Sequence, residues 1–104
     1  MLREAAPLVV RYWYRTGATY GLDGLAVLAL NRDELETAAR AVTVADAVRR
    51  ELGIEPWPTL DRFVRRLQNL TRRRIGEKRY GEIAAEAQDA DPFEVLGQVL
   101  SSLG

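Results

Sequence analysis

The side chains of this chain that could do chemistry are carboxylates and arginines, because it contains neither histidine nor cysteine. Histidine is the usual general base near neutral pH and the commonest metal ligand, and cysteine supplies thiolate nucleophiles and zinc ligands. Their absence excludes Cys–His pairs, Ser–His–Asp triads and the usual zinc sites. The carboxylates fall on predicted solvent-facing positions or at helix starts, where capping and solubility explain them. We therefore expect no enzymatic activity, no catalytic residue, no metal and no cofactor.

Three closely spaced glycines could suggest a phosphate-binding loop: Gly17, Gly21 and Gly24. A dinucleotide or P-loop fingerprint requires a preceding strand, and the P-loop also requires a lysine followed by serine or threonine. Neither is present. We interpret Gly17 as the end of a first helix, and Gly21 and Gly24 as positions where helices approach closely.

Arginines gather on one side of a predicted helix over residues 58–74: Arg62, Arg65, Arg66, Arg72 and Arg73. This basic ridge could bind phosphates. It could equally be a solvated face, balanced by the downstream acids Glu82, Glu86, Asp89, Asp91 and Glu94. The ridge contains no aromatic residue that could stack on nucleic-acid bases. It also has no recognition helix that could enter a groove of DNA. The formal net charge of the chain is +0. We therefore favour the solvated face and expect no specific nucleic-acid binding.

The elements that position these residues are predicted to be helices from end to end. The patterns indicate helices over 7–16, 18–30, 34–52, 58–74, 77–88 and from the Asp91 cap to residue 103, with Pro7 at a first helical position. There is no alternating strand pattern and no hairpin dipeptide. We predict one all-α domain over 1–104 with five or six helices. Its parts are helix 1 and a helix pair (1–53), a Pro-rich corner (54–58) and a C-terminal helical cap (59–104).

The helix pair is predicted from large and small residues that alternate as in a tetratricopeptide-type repeat: Leu22, Leu25, Ala26, Ala29, Ala38, Val42 and Ala45. The small residues fall where two antiparallel helices would cross. Asp33 and Glu36 form a capping box for the second helix, and Gly53 follows that helix where a left-handed residue is needed. A second capping box runs from Asp91 to Glu94 around Pro92.

The three cap helices are predicted to bury apolar stripes against one another. The stripes are Leu60, Phe63, Val64, Leu67, Leu70 and Thr71; then Tyr80, Ile83, Ala84 and Ala87; and then Phe93, Leu96, Val99, Leu100 and Leu103. Such a cap would close the apolar end of a helical array. Arg74 should pack its stem on the core and pair with a carboxylate or helix carbonyls, with Glu82 and Glu86 as the nearest acids.

The composition is typical of a globular cytoplasmic protein. The chain is 47% hydrophobic and 29% charged, and no apolar run approaches the roughly 18 residues of a membrane helix. The start at Met1-Leu2-Arg3-Glu4 lacks the layout of a secretion signal, and the absence of cysteine fits the cytosol. We expect no membrane contact.

The order of several short segments resembles the C-terminal helical tail of large actinobacterial regulatory ATPases, including LuxR-type transcriptional regulators. The segments are Tyr12 to Gly17, Leu25 to Leu30, Ala38-Ala39, Ala45 to Gly53, Pro56-Trp57-Pro58, Ile75 to Tyr80, and Asp91 to Glu94. Two features differ: the turn is Asn31-Arg32-Asp33 where Gly-Asp is usual, and Arg50 replaces the repeat's proline. The nucleotide-binding and DNA-binding motifs of that family do not occur in these residues, so the resemblance implies only a non-catalytic regulatory tail.

The function expected from these observations is protein–protein interaction or regulation, as the C-terminal segment of a signalling ATPase or transcription regulator. Val10, Tyr14 and Leu2 are predicted to leave an apolar interaction surface on the first helix, and a homodimer through it is expected. Two alternatives stay open. One is a nucleic-acid-binding helical protein that uses the Arg-rich face over 62–73, and the other is a helical module that senses a small effector.

Overall fold

The computed structural model describes residues 2–53 and 58–103, with side chains described for 16–53 and 58–103. The chain forms α1 (Leu2–Asn31), α2 (Leu35–Leu52), α3 (Pro58–Ile75), α4 (Glu77–Ala87) and α5 (Pro92–Leu103). All regular secondary structure in these ranges is helical, which confirms the all-α prediction. Most of the Pro-rich corner over 54–58 lies outside the described residues.

The first helix is longer than the sequence predicts. α1 runs without a break over 30 residues, so the two predicted helices over 7–16 and 18–30 are one. Gly17 lies inside it, and α1 begins at Leu2, ahead of Pro7. An interior glycine costs a helix only about 1 kcal/mol relative to alanine. That cost is too small to end a helix whose backbone hydrogen bonds can continue on both sides.

α1 and α2 pack closely through small side chains. Leu22, Val42 and the alanines Ala26, Ala29, Ala38 and Ala45 have 0% exposure. The predicted crossing residues are therefore buried, except that Leu25 is only partly buried. The short turn after Asn31 makes the pair antiparallel, so that the end of α2 near Arg49 lies beside Thr19 and Asp23 on α1.

The turn between α1 and α2 does not contain the predicted capping box. The residue before α2 is Glu34, and its side chain makes no capping hydrogen bond. Asp33 has φ of 58°, and its carboxylate pairs with Arg74 instead. Glu36 pairs with Arg79 on α4, at 2.8 Å between Oε1 and Nε. Each carboxylate thus forms an ion pair with another helix, Asp33 with α3 and Glu36 with α4.

Of the other two predicted caps, the one at Gly53 is confirmed. The capping box from Asp91 to Glu94 is confirmed only at Asp91, because Glu94 Oε1 accepts from Gln98 Nε2 at 3.5 Å. Gly53 ends α2 with φ of 66°, and its N–H points to the carbonyls of Arg49 and Arg50. At the start of α5, Pro92 is the first helical residue and the N–H of Phe93 donates to Asp91 Oδ1 at 2.9 Å.

α2 is the central helix and contacts each of the other four. α3 and α4 pack on α2 and on each other, whereas α5 packs on α1 and α2. Among the described residues, α5 contacts neither α3 nor α4. The prediction that all three C-terminal helices pack against one another is therefore wrong for α5, whereas α3 and α4 do pack together. The α1–α2 pair is the scaffold on which all three are placed.

The predicted stripes of α3 and α5 are only partly buried. On α3, Val64, Leu67 and Thr71 are buried while Phe63 and Leu70 are exposed. On α5 the buried side runs through Pro92, Val95, Val99 and Leu103, and Phe93 and Leu100 are exposed. α3 and α5 each pack on the α1–α2 pair through one narrow face. One edge of each broad apolar stripe is therefore exposed. The α4 stripe is confirmed, with Tyr80, Ile83 and Ala87 buried and Ala84 partly buried.

Candidate interaction surface

The predicted interaction surface on the first helix cannot be compared with side-chain positions. Leu2, Val10 and Tyr14 lie outside the residues whose side chains the structure describes. The described part of α1 nevertheless carries exposed apolar surface farther along, at Leu28, which is 52% exposed.

A second set of exposed apolar residues lies on α5 beside α1. Phe93 is 45% exposed and Leu100 is 52% exposed. With partly buried Leu96 between them, their spacing of three and four residues places them along one side of α5. Leu96 also lies against α1, because its Cδ1 is 3.5 Å from where a Cβ on Gly21 would stand. Gly21 and Leu28 are two helical turns apart on one side of α1. We call Gly21, Leu25, Leu28, Phe93, Leu96 and Leu100 the α1–α5 apolar surface.

The arginines of the basic ridge do not form one uniform surface. Arg65 Nε lies 3.0 Å from Asp61 Oδ2, and the guanidinium of Arg72 stacks 4.9 Å from the centre of the Tyr80 ring. Arg62, Arg66 and Arg73 are exposed, and no ion pair among the described residues includes them. The part of the ridge that is free to meet phosphates is therefore smaller than the sequence implies.

We predict that duplex DNA binds this chain weakly and without specificity. If all five ridge arginines met phosphates, the log–log salt slope would approach about −4.5, at roughly −0.9 for each contact. A titration of a labelled duplex at low salt should instead show weak binding that Arg65→Glu plus Arg66→Glu leaves unchanged. A steep salt slope that this double change abolishes would revive the nucleic-acid alternative.

An ion pair that is not predicted from the sequence lies buried between α1 and α2. Arg49 Nη2 donates to Asp23 Oδ2, and the two side chains are 5% and 4% exposed. The same nitrogen lies 3.4 Å from the carbonyl oxygen of Thr19, and the guanidinium is 5.7 Å from the centre of the Tyr20 ring. One signal could have revealed the pair: Asp23 is three residues before Ala26 and Arg49 is four after Ala45. An acid and a base therefore occupy the two faces that pack together.

The buried pair is only partly satisfied. Asp23 Oδ1 and Arg49 Nη1 are buried and have no hydrogen-bond partner among the described residues. Burial raises the pKa of Asp23 above its ordinary value; the charge and hydrogen bond of Arg49 oppose that shift, and Asp46 adds to it. Because each buried charge is stabilised by the other, we expect the pair to favour one lengthwise register of α1 on α2.

Arg74 joins α3 to the turn between α1 and α2. This turn lies at the end of the α1–α2 helix pair that is opposite the Asp23–Arg49 ion pair. It donates to the carbonyl oxygen of Leu30 at 3.0 Å and forms an ion pair with Asp33. The predicted pairing with a carboxylate and a helix carbonyl is confirmed, but the acid is Asp33 and not Glu82 or Glu86. Arg32 similarly donates to the carbonyl oxygen of Leu103 and ties α5 to the same turn.

Within the described ranges, no group of three or more acidic residues is arranged to hold a metal ion. The same residues include no helix that is long and apolar enough to cross a membrane.

In comparisons with known proteins, no protein family, no curated protein and no solved structure matches this chain.

Proposed function

We propose that this chain is a non-catalytic helical module that recognises a protein partner, and that a second copy of itself is the simplest partner. The observation that carries the proposal is the α1–α5 apolar surface. There Leu28, Phe93 and Leu100 expose about half of their surface although they belong to helices with a well-packed opposite side. Contiguous exposed apolar surface of this kind marks interaction sites in monomeric proteins.

Glycines on α1 support a helix as the partner element. A Cβ on Gly17 or Gly24 would find no described atom within 4 Å, so contacts with the described residues do not require glycine there. Each costs α1 about 1 kcal/mol relative to alanine. In the sequence, Val10, Tyr14, Gly17, Gly21, Gly24 and Leu28 recur at alternating intervals of four and three residues. That spacing is typical of the seam between two packed helices.

The resemblance noted in the sequence suggests a setting for this module. In that setting α1 and α2 form a tetratricopeptide-like pair, and the chain is the C-terminal segment of a signalling ATPase or transcription regulator in the cytoplasm. The alanines buried at the crossing of the two helices support the pair. The partner surface would then meet a neighbouring helix of the same assembly, because each repeat of a helical array buries an apolar face against the next.

The described apolar side chains alone predict a weak dimer. Burying a large apolar side chain fully is worth about 1.5–3 kcal/mol, so the exposed half of each contributes roughly 1 kcal/mol. A two-fold dimer buries three of them on each copy, about 6 kcal/mol gross, against an association cost of at least about 4 kcal/mol. The net of at most about 2 kcal/mol corresponds to a Kd of roughly 30 mM. Association at about 0.1 to 1 mM therefore requires roughly 2–3.5 kcal/mol more, which the helix contact along the glycines of α1 has to supply.

Sedimentation velocity over that concentration range tests the proposal. The wild type should sediment faster as its concentration rises. Leu28→Glu plus Leu100→Glu should stay monomeric, because two-fold contact would place four carboxylates in apolar surface. Gly24→Ala should weaken association while stabilising the single chain by about 0.4–1 kcal/mol.

Ala85→Glu is the matched control, since Ala85 is exposed on α4 and outside the α1–α5 apolar surface. It should associate as the wild type does. A wild type that remains monomeric throughout, or a Leu28→Glu plus Leu100→Glu variant that associates normally, would contradict the proposed surface.

A further inference from the structure

A cleft between α2, α3 and α4 has the size of a small-molecule site. Its volume is about 600 Å³, and binding pockets for small ligands typically span about 300–1,000 Å³. Small residues create the space, because Ala47 on α2 faces Gly81 and Ala84 on α4. None of the residues of the α1–α5 apolar surface lines this cleft, so the two surfaces can be tested separately.

Arg72 is the cation of this cleft that no carboxylate of the described residues pairs with. Its guanidinium stacks on the ring of Tyr80, which is only 8% exposed, and Arg72 itself is partly buried. No ion pair among the described residues includes Arg72, whereas Arg50 Nη2, also at the cleft, lies 2.9 Å from Asp46 Oδ2. A partly desolvated guanidinium with free donors binds a carboxylate well, through short charge-assisted hydrogen bonds.

Asp46 supplies the opposite charge within the same cleft. Gln68 Nε2 donates to Asp46 Oδ1 at 3.3 Å, which holds that carboxylate between α2 and α3. Burial raises the pKa of Tyr80, and the charge of Arg72 lowers it while that of Asp46 raises it. Both charges therefore act on the phenol group of Tyr80, and all three residues line the same cleft.

The wider charge of the cleft limits the ligand further. Among the described residues that line it, Glu51 and Glu77 add to Asp46, so three carboxylates and two arginines, Arg50 and Arg72, lie at the cleft. This excess of negative charge disfavours phosphates and other polyanions. It suits a molecule that carries one carboxylate and one positive group.

We propose that the cleft binds a small zwitterion of the amino-acid class, with its carboxylate on Arg72 and its ammonium group towards the carboxylates of Asp46 and Glu77, which also line the cleft. The side chain of the ligand would lie over Ala47, Gly81 and Ala84, where bare helix backbone and methyl groups offer an apolar floor. Such a ligand can pair with Arg72 and with a carboxylate of the cleft at once, which neither a simple carboxylate nor a simple amine does.

Isothermal titration calorimetry on the full chain tests this proposal. The probes are the free L-amino acids one at a time, with acetate, methylammonium and inorganic phosphate for comparison. We expect at least one amino acid to bind with a Kd of about 1 mM or tighter, and the three simple ions to bind more weakly. Arg72→Met should weaken that binding at least about tenfold.

Two further variants separate ligand contact from damage to the fold. Ala84→Leu should fill the cleft and abolish binding without touching a charged group, whereas Arg62→Met changes an exposed arginine outside the cleft and should bind normally. Thermal unfolding by circular dichroism checks that each variant is folded. No binding of any amino acid at about 10 mM would overturn the proposal. So would binding that survives both Arg72→Met and Ala84→Leu, or phosphate that binds as tightly as the best amino acid.

Discussion

Arg49→Met should lower the free energy of unfolding by about 3–5 kcal/mol, because it leaves the carboxylate of Asp23 buried without a counter-charge. Asp23 and Arg49 are 4% and 5% exposed at the side chain, so water cannot replace the lost partner without opening the α1–α2 pair. Urea unfolding followed by circular dichroism measures the loss. The loss should shrink on acidification to about pH 4, since protonation of Asp23 removes the unpaired charge.

Arg50→Met is the matched control for this change. Arg50 is the next residue in the sequence and also forms an ion pair with an aspartate, but its side chain is 80% exposed. Exposed pairs contribute only about 0–1 kcal/mol, so this variant should unfold almost as the wild type does. Equal losses for Arg49→Met and Arg50→Met would show that the buried pair is not needed for stability.

The double change Asp23→Leu plus Arg49→Met separates stability from register. Replacing a buried ion pair with apolar residues is often neutral or stabilising, so most of the stability should return. If the pair sets how far α1 slides along α2, however, the double variant should lose the concentration-dependent association while it remains folded. The α1–α5 apolar surface needs Gly21 of α1 to stay beside Leu96 of α5, and a shifted α1 would separate them.

The α1–α2 pair could be predicted from the sequence because its signal is local. Alanines at helical spacing on two neighbouring segments, with a turn between them, specify a close antiparallel contact without knowledge of the rest of the chain. The same holds for Gly53 and for Asp91 with Pro92, because a cap depends on residues within one turn of the helix end. The structure has each of these features at the position that the sequence predicts.

Features that depend on competition between distant groups could not be predicted in the same way. Asp33 and Glu36 have the spacing of a capping box, but Arg74 and Arg79 come from far along the chain and take both carboxylates. The α2 helix also begins one residue later than the box requires, because Glu34 and not Asp33 directly precedes Leu35, so Asp33 does not occupy the capping position. The sequence shows the spacing of a capping box, but it does not show which arginines will contact the two carboxylates.

The exposed edge of the apolar stripe on α5 also depends on contacts between residues that are far apart in the sequence. Phe93 and Leu100 are apolar at helical spacing, which predicts burial, yet only the side through Val95 and Val99 meets the α1–α2 pair. A helix with apolar residues on more than half of its circumference can bury only the part that has a neighbour. The choice among its sides is made by the tertiary fold, and the unburied side became the candidate interaction surface.

Leu22→Ala should lower the free energy of unfolding by about 3–5 kcal/mol, because Leu22 is 0% exposed and the alanines around it cannot move inward to fill the cavity. Leu28→Ala makes the same chemical change on the same helix at a side chain that is 52% exposed, and it should cost less than about 1 kcal/mol. Urea unfolding of the two variants in parallel gives both values.

Sedimentation should rank the two variants the other way round. Leu28→Ala should weaken self-association because it removes apolar surface from the proposed interface, whereas Leu22→Ala removes none. Equal stability losses would contradict the burial of Leu22 between α1 and α2. Unchanged association of Leu28→Ala would separate Leu28 from the interface and leave only α5 to carry it.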